Sequence, residues 1–453
     1  MEVKESTGEE KKNKRSSLVI MADVDMQECT LSNVDDMMQS TMVQRQIEGA
    51  SYMMVLPKVV NSSVIEFDIN SSECFLELNK TEVEVKYRIK KADGTNLTAE
   101  DHVGTINYPV ASLFSSVEVR LNDKTITNGS SNYAERAIME VLMTYNHDAL
   151  KSWLGAGLFE KDTAGRMDVA DPSAADNVAN HGLKKRAEHS KESKLVTVRG
   201  KLHEDLFNQP RPLPNNSRLY IRFTRNKDQY CLMSNAENAN CKITIEEMSL
   251  HIRKIYVTDD VKKSLASQRI VLPIDRVIQK EFSVPQGGSK FIENALHSGQ
   301  IPKRLVFAFV GNNAHVGSYT ANPFNWAHVN VQKVSLFRDG QIVNARPLSV
   351  DFGSGDVMDG YWSLMRATNT RYANAGPLIK LEEYKKGGYA LWAYDLSPSQ
   401  CDEQFNDPKQ RGNLTLEVEF GNNTTTPLVL CVYLQFDSDI IINEVGGVIT
   451  MFD

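Results

Sequence analysis

The chain is poor in the residues and patterns that usually announce chemistry. Six cysteines are scattered at 29, 74, 231, 241, 401 and 431, and no C-x-x-C occurs. Such spacing excludes a disulfide-stapled scaffold and fits reduced thiols in a cytosolic or nuclear protein. Cys231, Cys241 and His251 can be assembled into a metal site on paper, but their spacing fits no familiar zinc pattern and Cys241 opens a strand. The nine histidines never fall two apart, so the H-x-H pair of a cupin metal centre is missing. Phosphate-cradling loops, G-x-G-x-x-G, G-x-S-x-G and H-E-x-x-H are missing as well. An excess of basic charge is also lacking: 51 Lys and Arg face 58 Asp and Glu, for a net charge of -7. That balance argues against sequence-specific nucleic-acid binding, which needs clustered cations. The densest basic run, Lys184-Lys185-Arg186, reads as a solvated loop. No apolar run approaches the roughly 18 residues that span a bilayer, so no membrane span is expected. The charged opening stretch, Glu9-Glu10-Lys11-Lys12, lacks the apolar segment of a signal peptide.

What is present is one order of elements, told twice. Ser116 to Leu121 alternates, turns at Asn122-Asp123 and returns through Thr125-Ile126-Thr127. A Gly/Ser break then leads into a helical pattern from Asn132 to Asn146. About two hundred residues later Val334 to Arg338 turns at Asp339-Gly340, returns through Gln341-Ile342-Val343 and enters a second helical pattern near Val357. Asp205-Leu206 precedes the alternating Arg218 to Phe223, as Asp395-Leu396 precedes Leu414 to Phe420. A repeat this long means duplicated domains, not a solenoid.

Residues 1–50 form an arm without sustained periodicity, expected to be partly disordered. Residues 51–260 make the first copy. In Val83 to Ile89, Val83, Val85, Tyr87 and Ile89 share one face and charges the other, the pattern of a half-buried strand. Asn132 with Glu135 three positions on resembles a capping box, and Tyr133, Ala137, Ile138, Val141, Leu142 and Tyr145 form one apolar stripe. Within this copy, 155–194 is a long polar insertion, expected to order only against another subunit or at the crown of an assembly. Residues 261–453 make the second copy and a C-terminal tail, and here Leu305 to Val310 is apolar on both faces, as suits a strand covered on both sides. About eight short strands and a helix per copy give an all-β protein: two eight-stranded antiparallel jelly rolls in tandem, each with a flanking helix.

Two clusters invite a functional reading and do not support one. His203-Glu204-Asp205 contains acid and base groups, but on a strand adjacent residues point to opposite faces, which favours a turn-side polar cluster. Trp326, Trp362 and Trp392 are placed in the core rather than on a sugar-binding platform. No catalytic, cofactor-binding or metal-binding residue is expected, and no enzyme activity.

Taken together, the arm, the two copies with a helix behind each Asn-Asp or Asp-Gly hairpin, and the polar insertion resemble the double jelly-roll major capsid proteins. The likeness is nearest to those of the Maverick/Polinton elements and is carried mainly by Phe75 to Trp153, especially Ala111-Ser112-Leu113-Phe114-Ser115-Ser116-Val117-Glu118-Val119-Arg120-Leu121-Asn122. The resemblance implies a homotrimeric, pseudo-hexameric capsomer tiling an icosahedral shell around double-stranded DNA. It also implies neighbouring capsomers and a penton or minor capsid protein as partners, and a place in the virion after synthesis in the host cytoplasm. Capsid-processing proteases of that class favour small-residue sites; Ile47-Glu48-Gly49-Ala50-Ser51 is a partial match, of a kind composition alone produces. A two-domain jelly-roll carbohydrate-binding protein or hydrolase is the competing reading. Oligomer size separates the two.

Overall fold

A computed structural model describes residues 46–127, 132–235, 239–266, 268–373, 376–400, 407–443 and 446–450. Nearly all of the arm assigned to 1–50 lies outside them, as do Cys29 and Cys401.

The first copy supplies eight principal strands: β1 (Ile47–Val55), β2 (Val64–Asn70), β3 (Phe75–Lys91), β4 (Phe114–Leu121), β5 (Lys124–Thr125), β6 (Val196–Lys201), β7 (Arg218–Arg225) and β8 (Cys241–Val257). They form two sheets, ordered β1-β8-β3-β6 and β2-β7-β4-β5. The second copy supplies β9 (Ile270–Val284), β10 (Lys290–Gln300), β11 (Arg304–Gly311), β12 (Val331–Arg338), β13 (Gln341–Ile342), β14 (Trp392–Asp395), β15 (Arg411–Phe420) and β16 (Leu428–Ile442). Its sheets run β9-β16-β11-β14 and β10-β15-β12-β13. Over these strands the two orders are the same; the first copy adds Val59–Val60 beside β2 and the pair Val103–Thr105 with Leu232–Ser234, and the second adds Leu348–Ser349 beside β12 and Val448–Thr450 beside β16. In each copy the last strand lies between the first and third, and the seventh between the second and fourth. That winding across two antiparallel sheets is a jelly roll.

The duplicated hairpins explain their own sequences. Asn122 and Asp123 both have positive φ (47° and 67°), as do Asp339 and Gly340 (50° and 80°). Two successive left-handed residues make the turn whose twist matches that of the flanking strands, and Asn, Asp and Gly tolerate it best. Each first turn residue has a second task. Asn122 Oδ1 accepts from Arg218 N at 2.8 Å, and Asp339 Oδ1 accepts from Asn413 N at 2.9 Å. The same side-chain bond thus ties the hairpin to the seventh strand in both copies.

Strand alternation sets the cores. Val83, Val85, Tyr87 and Ile89 are all buried, and so are Leu414, Leu416, Val418 and Phe420. In β11 the two faces diverge: Leu305, Phe307 and Phe309 enter the second copy's own core, while Val306, Ala308 and Val310 join a cluster continuous with the first copy. β16 repeats this, with Leu430, Val432 and Leu434 on one face and Val429, Cys431 and Tyr433 on the other. The sheet β9-β16-β11-β14 is therefore a wall shared between the two rolls. Its apolar sequence on both faces follows, since each large aliphatic or aromatic side chain taken from water contributes about 1.5–3 kcal/mol.

Helix α1 (Tyr133–Thr144) departs from the one-stripe expectation: every residue from Tyr133 to Met143 is buried. It lies against the first roll on one side and the shared wall on the other, so its polar residues face protein instead of water. Nor does the capping box form, because Asn132 makes no side-chain cap. The Gln279 amide of β9 lies there instead: with its nitrogen turned to Asn132 O, 2.7 Å away, its oxygen accepts from Arg136 N at 3.0 Å. The second copy's counterpart, helix α5 (Met358–Ala367), is buried on one side only.

The insertion 155–194 is also a correction. It folds within the single chain, around helix α2 (His181–Ser190). Arg186, expected in a solvated loop, is fully buried against Asp162 at 2.7 Å and donates to Thr105 O at 2.8 Å. Asp162 in turn accepts from Asn322 Nδ2 at 3.0 Å, and its carbonyl from Tyr389 OH at 2.7 Å. Lys161 bonds Leu378 O and Glu383, which lies on helix α6 (Leu381–Lys386) behind helix α5 (Met358–Ala367). Polar side chains with partners from the second roll do what apolar patterning does elsewhere, which is why hydrophobic periodicity missed them. Arg186→Met would leave the Asp162 carboxylate buried without its cation. It is expected to lower the unfolding free energy by about 3–5 kcal/mol in urea titration and to open 155–194 to protease. No change in either measurement would mean that the insertion is not braced from within the chain.

Candidate functional site

The residues weighed as metal or acid/base groups are distributed as follows. Cys241 and His251 lie ten positions apart on β8, roughly 30 Å at strand rise, so they cannot share an ion with Cys231. His203, Glu204 and Asp205 do converge, contrary to the strand argument, because they sit at the entry to helix α3 (Asp205–Asn208), where strand alternation does not apply. All three are buried, and they meet α1. Arg136 donates to Glu204 Oε2 at 3.0 Å and to Asp205; His203 Nδ1 lies 3.4 Å from Glu140 Oε1. Tyr108 OH stands 3.2 Å from His203 Nε2. Asp205 Oδ1 also accepts from Val277 N of β9 at 3.2 Å, so the cluster reaches the second roll.

Burial and charge pull these groups in opposite directions. Burial raises Glu204 to about 8 and raises Asp205, against the pull of Arg136. Burial would raise Glu140 too, but the charge and hydrogen bond of His203 and the charge of Arg136 hold it down at about 2. Three carboxyls packed around one guanidinium and one imidazole, all of them buried, tie α1 to α3 and β9.

The same seam continues toward the α1 N-terminus. Glu135 Oε1 accepts from Tyr230 OH at 3.4 Å and lies 3.0 Å from His315 Nδ1, on helix α4 (Asn312–Val316) after β11. His315 Nε2 lies 3.2 Å from Glu281 Oε1 of β9. Cys431 of β16 completes the group: one ligand-type atom from each of Glu135, Glu281, His315 and Cys431 lies within 4.8 Å of the others. Hydrogen bonds donated to the Glu135 and Glu281 carboxylates raise the His315 imidazole from 6.5 to about 10. These four positions span most of the chain. The only local signal for any of them was an acidic residue beside an apolar stripe, Glu135, and it was read as a cap.

The outer surface offers a different feature. Tyr52, Met54, Leu56, Val59 and Val60 are exposed large hydrophobics within one short stretch, and β1, which carries two of them, is a sheet edge. Ala50 is also in β1, so the partial protease match is strand in the folded chain. Of Trp326, Trp362 and Trp392, all expected in the core, Trp326 and Trp392 are fully buried and Trp362 is not, so the three do not form one platform. Trp362 is 37% exposed and meets Tyr372 edge-on at 6.2 Å. Among the described residues no helix is long and apolar enough to cross a membrane.

No protein-family model matches the chain. An uncharacterised Caenorhabditis elegans protein is 23% identical over 384 residues, covering 81% of this chain and 88% of that one. Among solved structures, a chain of the Sputnik virophage superposes with a TM-score of 0.60 at 13% identity, covering 91% of this chain and 90% of that one. The PBCV-1 virus capsid gives 0.57 at 13% identity, with 92% and 100% covered. The Faustovirus major capsid protein gives 0.54 at 9% identity, with 92% and 93% covered. The chain has the double jelly-roll fold.

At the centre of that double jelly roll Glu140 is a carboxyl with depressed proton affinity, which makes its contacts acid-sensitive. A carboxyl at about 2 in the folded state and 4.5 otherwise stabilises the fold above pH 4.5, and the contribution disappears as pH falls through about 2. Up to roughly 3 kcal/mol is at stake for Glu140. In denaturant melts from pH 7 to pH 2, Glu140→Gln is expected to be weaker at neutral pH and to lack this acid step. A variant whose pH profile parallels the wild type would assign acid lability to other groups.

Proposed function

We propose that this chain is a major capsid protein of a virus-like element of the Maverick/Polinton kind. In this reading three copies form a pseudo-hexameric capsomer. Such capsomers tile an icosahedral shell around double-stranded DNA, with a penton or minor capsid protein at other positions. The domains run as an arm over 1–50, a first roll over 51–260 and a second over 261–453. What carries the proposal is the strand-for-strand duplication, matched along more than nine-tenths of the chain by capsid structures of large DNA viruses and virophages. Two similar rolls per chain give a trimer six similar sides, the number that packs hexagonally. The buried network at the junction supports a structural role, since its ion pairs are spent on fastening the rolls.

The exposed stretch from Tyr52 to Val60 fits the same reading. An apolar sheet edge left in water is a site for pairing with another chain, and a capsomer partner covers it. The purified chain is expected to run in light scattering at three times its 50.8 kDa mass and to give hexagonal outlines in negative-stain microscopy. A monodisperse monomer at micromolar concentration would defeat the proposal. Tyr52→Glu combined with Met54→Glu is expected to shift the population toward monomer while leaving the melting temperature of the monomer within a few degrees of wild type. Full trimerisation of that variant would place the subunit interface elsewhere.

A further inference from the structure

Glu135, Glu281, His315 and Cys431 bring to one place a set of donor atoms wider than an ion pair requires. Glu281 and Cys431 are direct partners in the β9–β16 ladder, so their side chains stand together on the face that looks toward the first roll. His315 is delivered from beyond β11, the strand on the other side of β16, and Glu135 comes from the first turn of α1. All four are thus set on regular elements, which fixes their positions better than loops would. We propose that these four residues form a zinc site that bolts the two jelly rolls together.

The donor set decides the class of ion. A thiolate and an imidazole with carboxylates suit Zn²⁺ and disfavour Mg²⁺ and Ca²⁺, which take oxygen ligands. Glu135 Oε2 is buried without a hydrogen-bond partner, on a side chain only 3% exposed. A carboxylate oxygen in that state needs a donor or a cation. His315 Nδ1 faces Glu135 and Nε2 faces Glu281. The ion is therefore held by His315 Nδ1, Glu135 and Cys431, while His315 Nε2–H donates to Glu281, the carboxylate–histidine–zinc arrangement that orients a ligating imidazole. The cluster meets solvent through Glu281, whose side chain is 32% exposed, and His315 at 18%. Binding releases one proton from the Cys431 thiol and one from the His315 imidazolium. Two protons are exchanged for one divalent cation, so the cluster's net charge does not change.

The test uses the full-length chain, stripped with a chelator, desalted and titrated with Co²⁺ and then Zn²⁺. One Co²⁺ per chain is expected, with a thiolate-to-cobalt charge-transfer band in the near ultraviolet that Zn²⁺ abolishes. Cys431→Ser is expected to lose the band, whereas Cys241→Ser keeps it. Glu281→Gln is expected to weaken binding by about 10–100-fold. Zinc should raise the melting temperature of the stripped wild type and leave that of Cys431→Ser unchanged. Should Cys431→Ser not fold, Glu135→Gln, which keeps the side chain's shape, carries the same readout as lost stoichiometric binding. Substoichiometric metal, a band that survives Cys431→Ser, or a melting temperature indifferent to zinc would each overturn the proposal and leave His315 as a plain ionic clamp.

Discussion

The structure depends on one sheet being buried twice. β9-β16-β11-β14 closes the core of the second roll with one face and receives the first roll on the other. A sheet with one wet face tolerates alternation and hence local error. A sheet with two dry faces does not, because a polar residue on either side loses water without gaining a partner. The sequence of the wall obeys this along Leu305 to Val310 and Leu428 to Leu434. Polar residues that enter it have partners: Gln279 on the α1 backbone, Glu281 on His315, Asp275 on Lys303, and Gln435 on Arg304. Gln279, and His315 through Glu135, mark the seam.

Helix α1 follows from that wall. A helix behind a hairpin in a single jelly roll has one side to bury, and α5 in the second roll shows the ordinary outcome, with Trp362 and Met358 exposed. Its counterpart α1 is caught between roll and wall, so Glu135, Arg136 and Glu140 are forced out of water. Burial of that kind destabilises a charge unless a counter-charge meets it, and each of the three has found one. Duplication thus produced two copies with the same winding but unequal surroundings. The difference is recorded in the charged residues of α1, not in its apolar ones.

The fold was legible because its signals are local. Period-2 alternation placed Val83 to Ile89 and Leu414 to Phe420, Asn122-Asp123 and Asp339-Gly340 marked the hairpins, and their order exposed the duplication. What periodicity could not reveal was which polar residues are buried. Glu135 in the first turn of a helix has the same sequence signature whether it caps the backbone or faces His315, 180 positions away. Arg186 beside two lysines looks like a solvated run, although its guanidinium is enclosed by Asp162 and two backbone carbonyls. His203 to Asp205 were judged by strand geometry, and the chain turns into α3 at that point, so all three can aim at one helix. The three share one cause: each is a charge whose partner is distant in sequence, which local patterning does not record.

The distribution of these distant partners bears on how the two rolls act together. Apolar contact across the wall is non-directional and would allow the rolls to slide by a residue or rock without large loss. The polar contacts are directional, and they lie at separate places: Asp205 on the Val277 amide, Gln279 on the α1 N-terminus, Glu135 on His315, and the insertion on Asn322, Tyr389 and Glu383. Fixing a rigid body needs several separated constraints, and these supply them. Each is expensive to leave half-made, because the abandoned partner is a buried charge or backbone group. A relative rotation of the rolls therefore breaks several at once. The consequence is that the relative setting of the two rolls is specified by directional contacts and not by apolar burial alone.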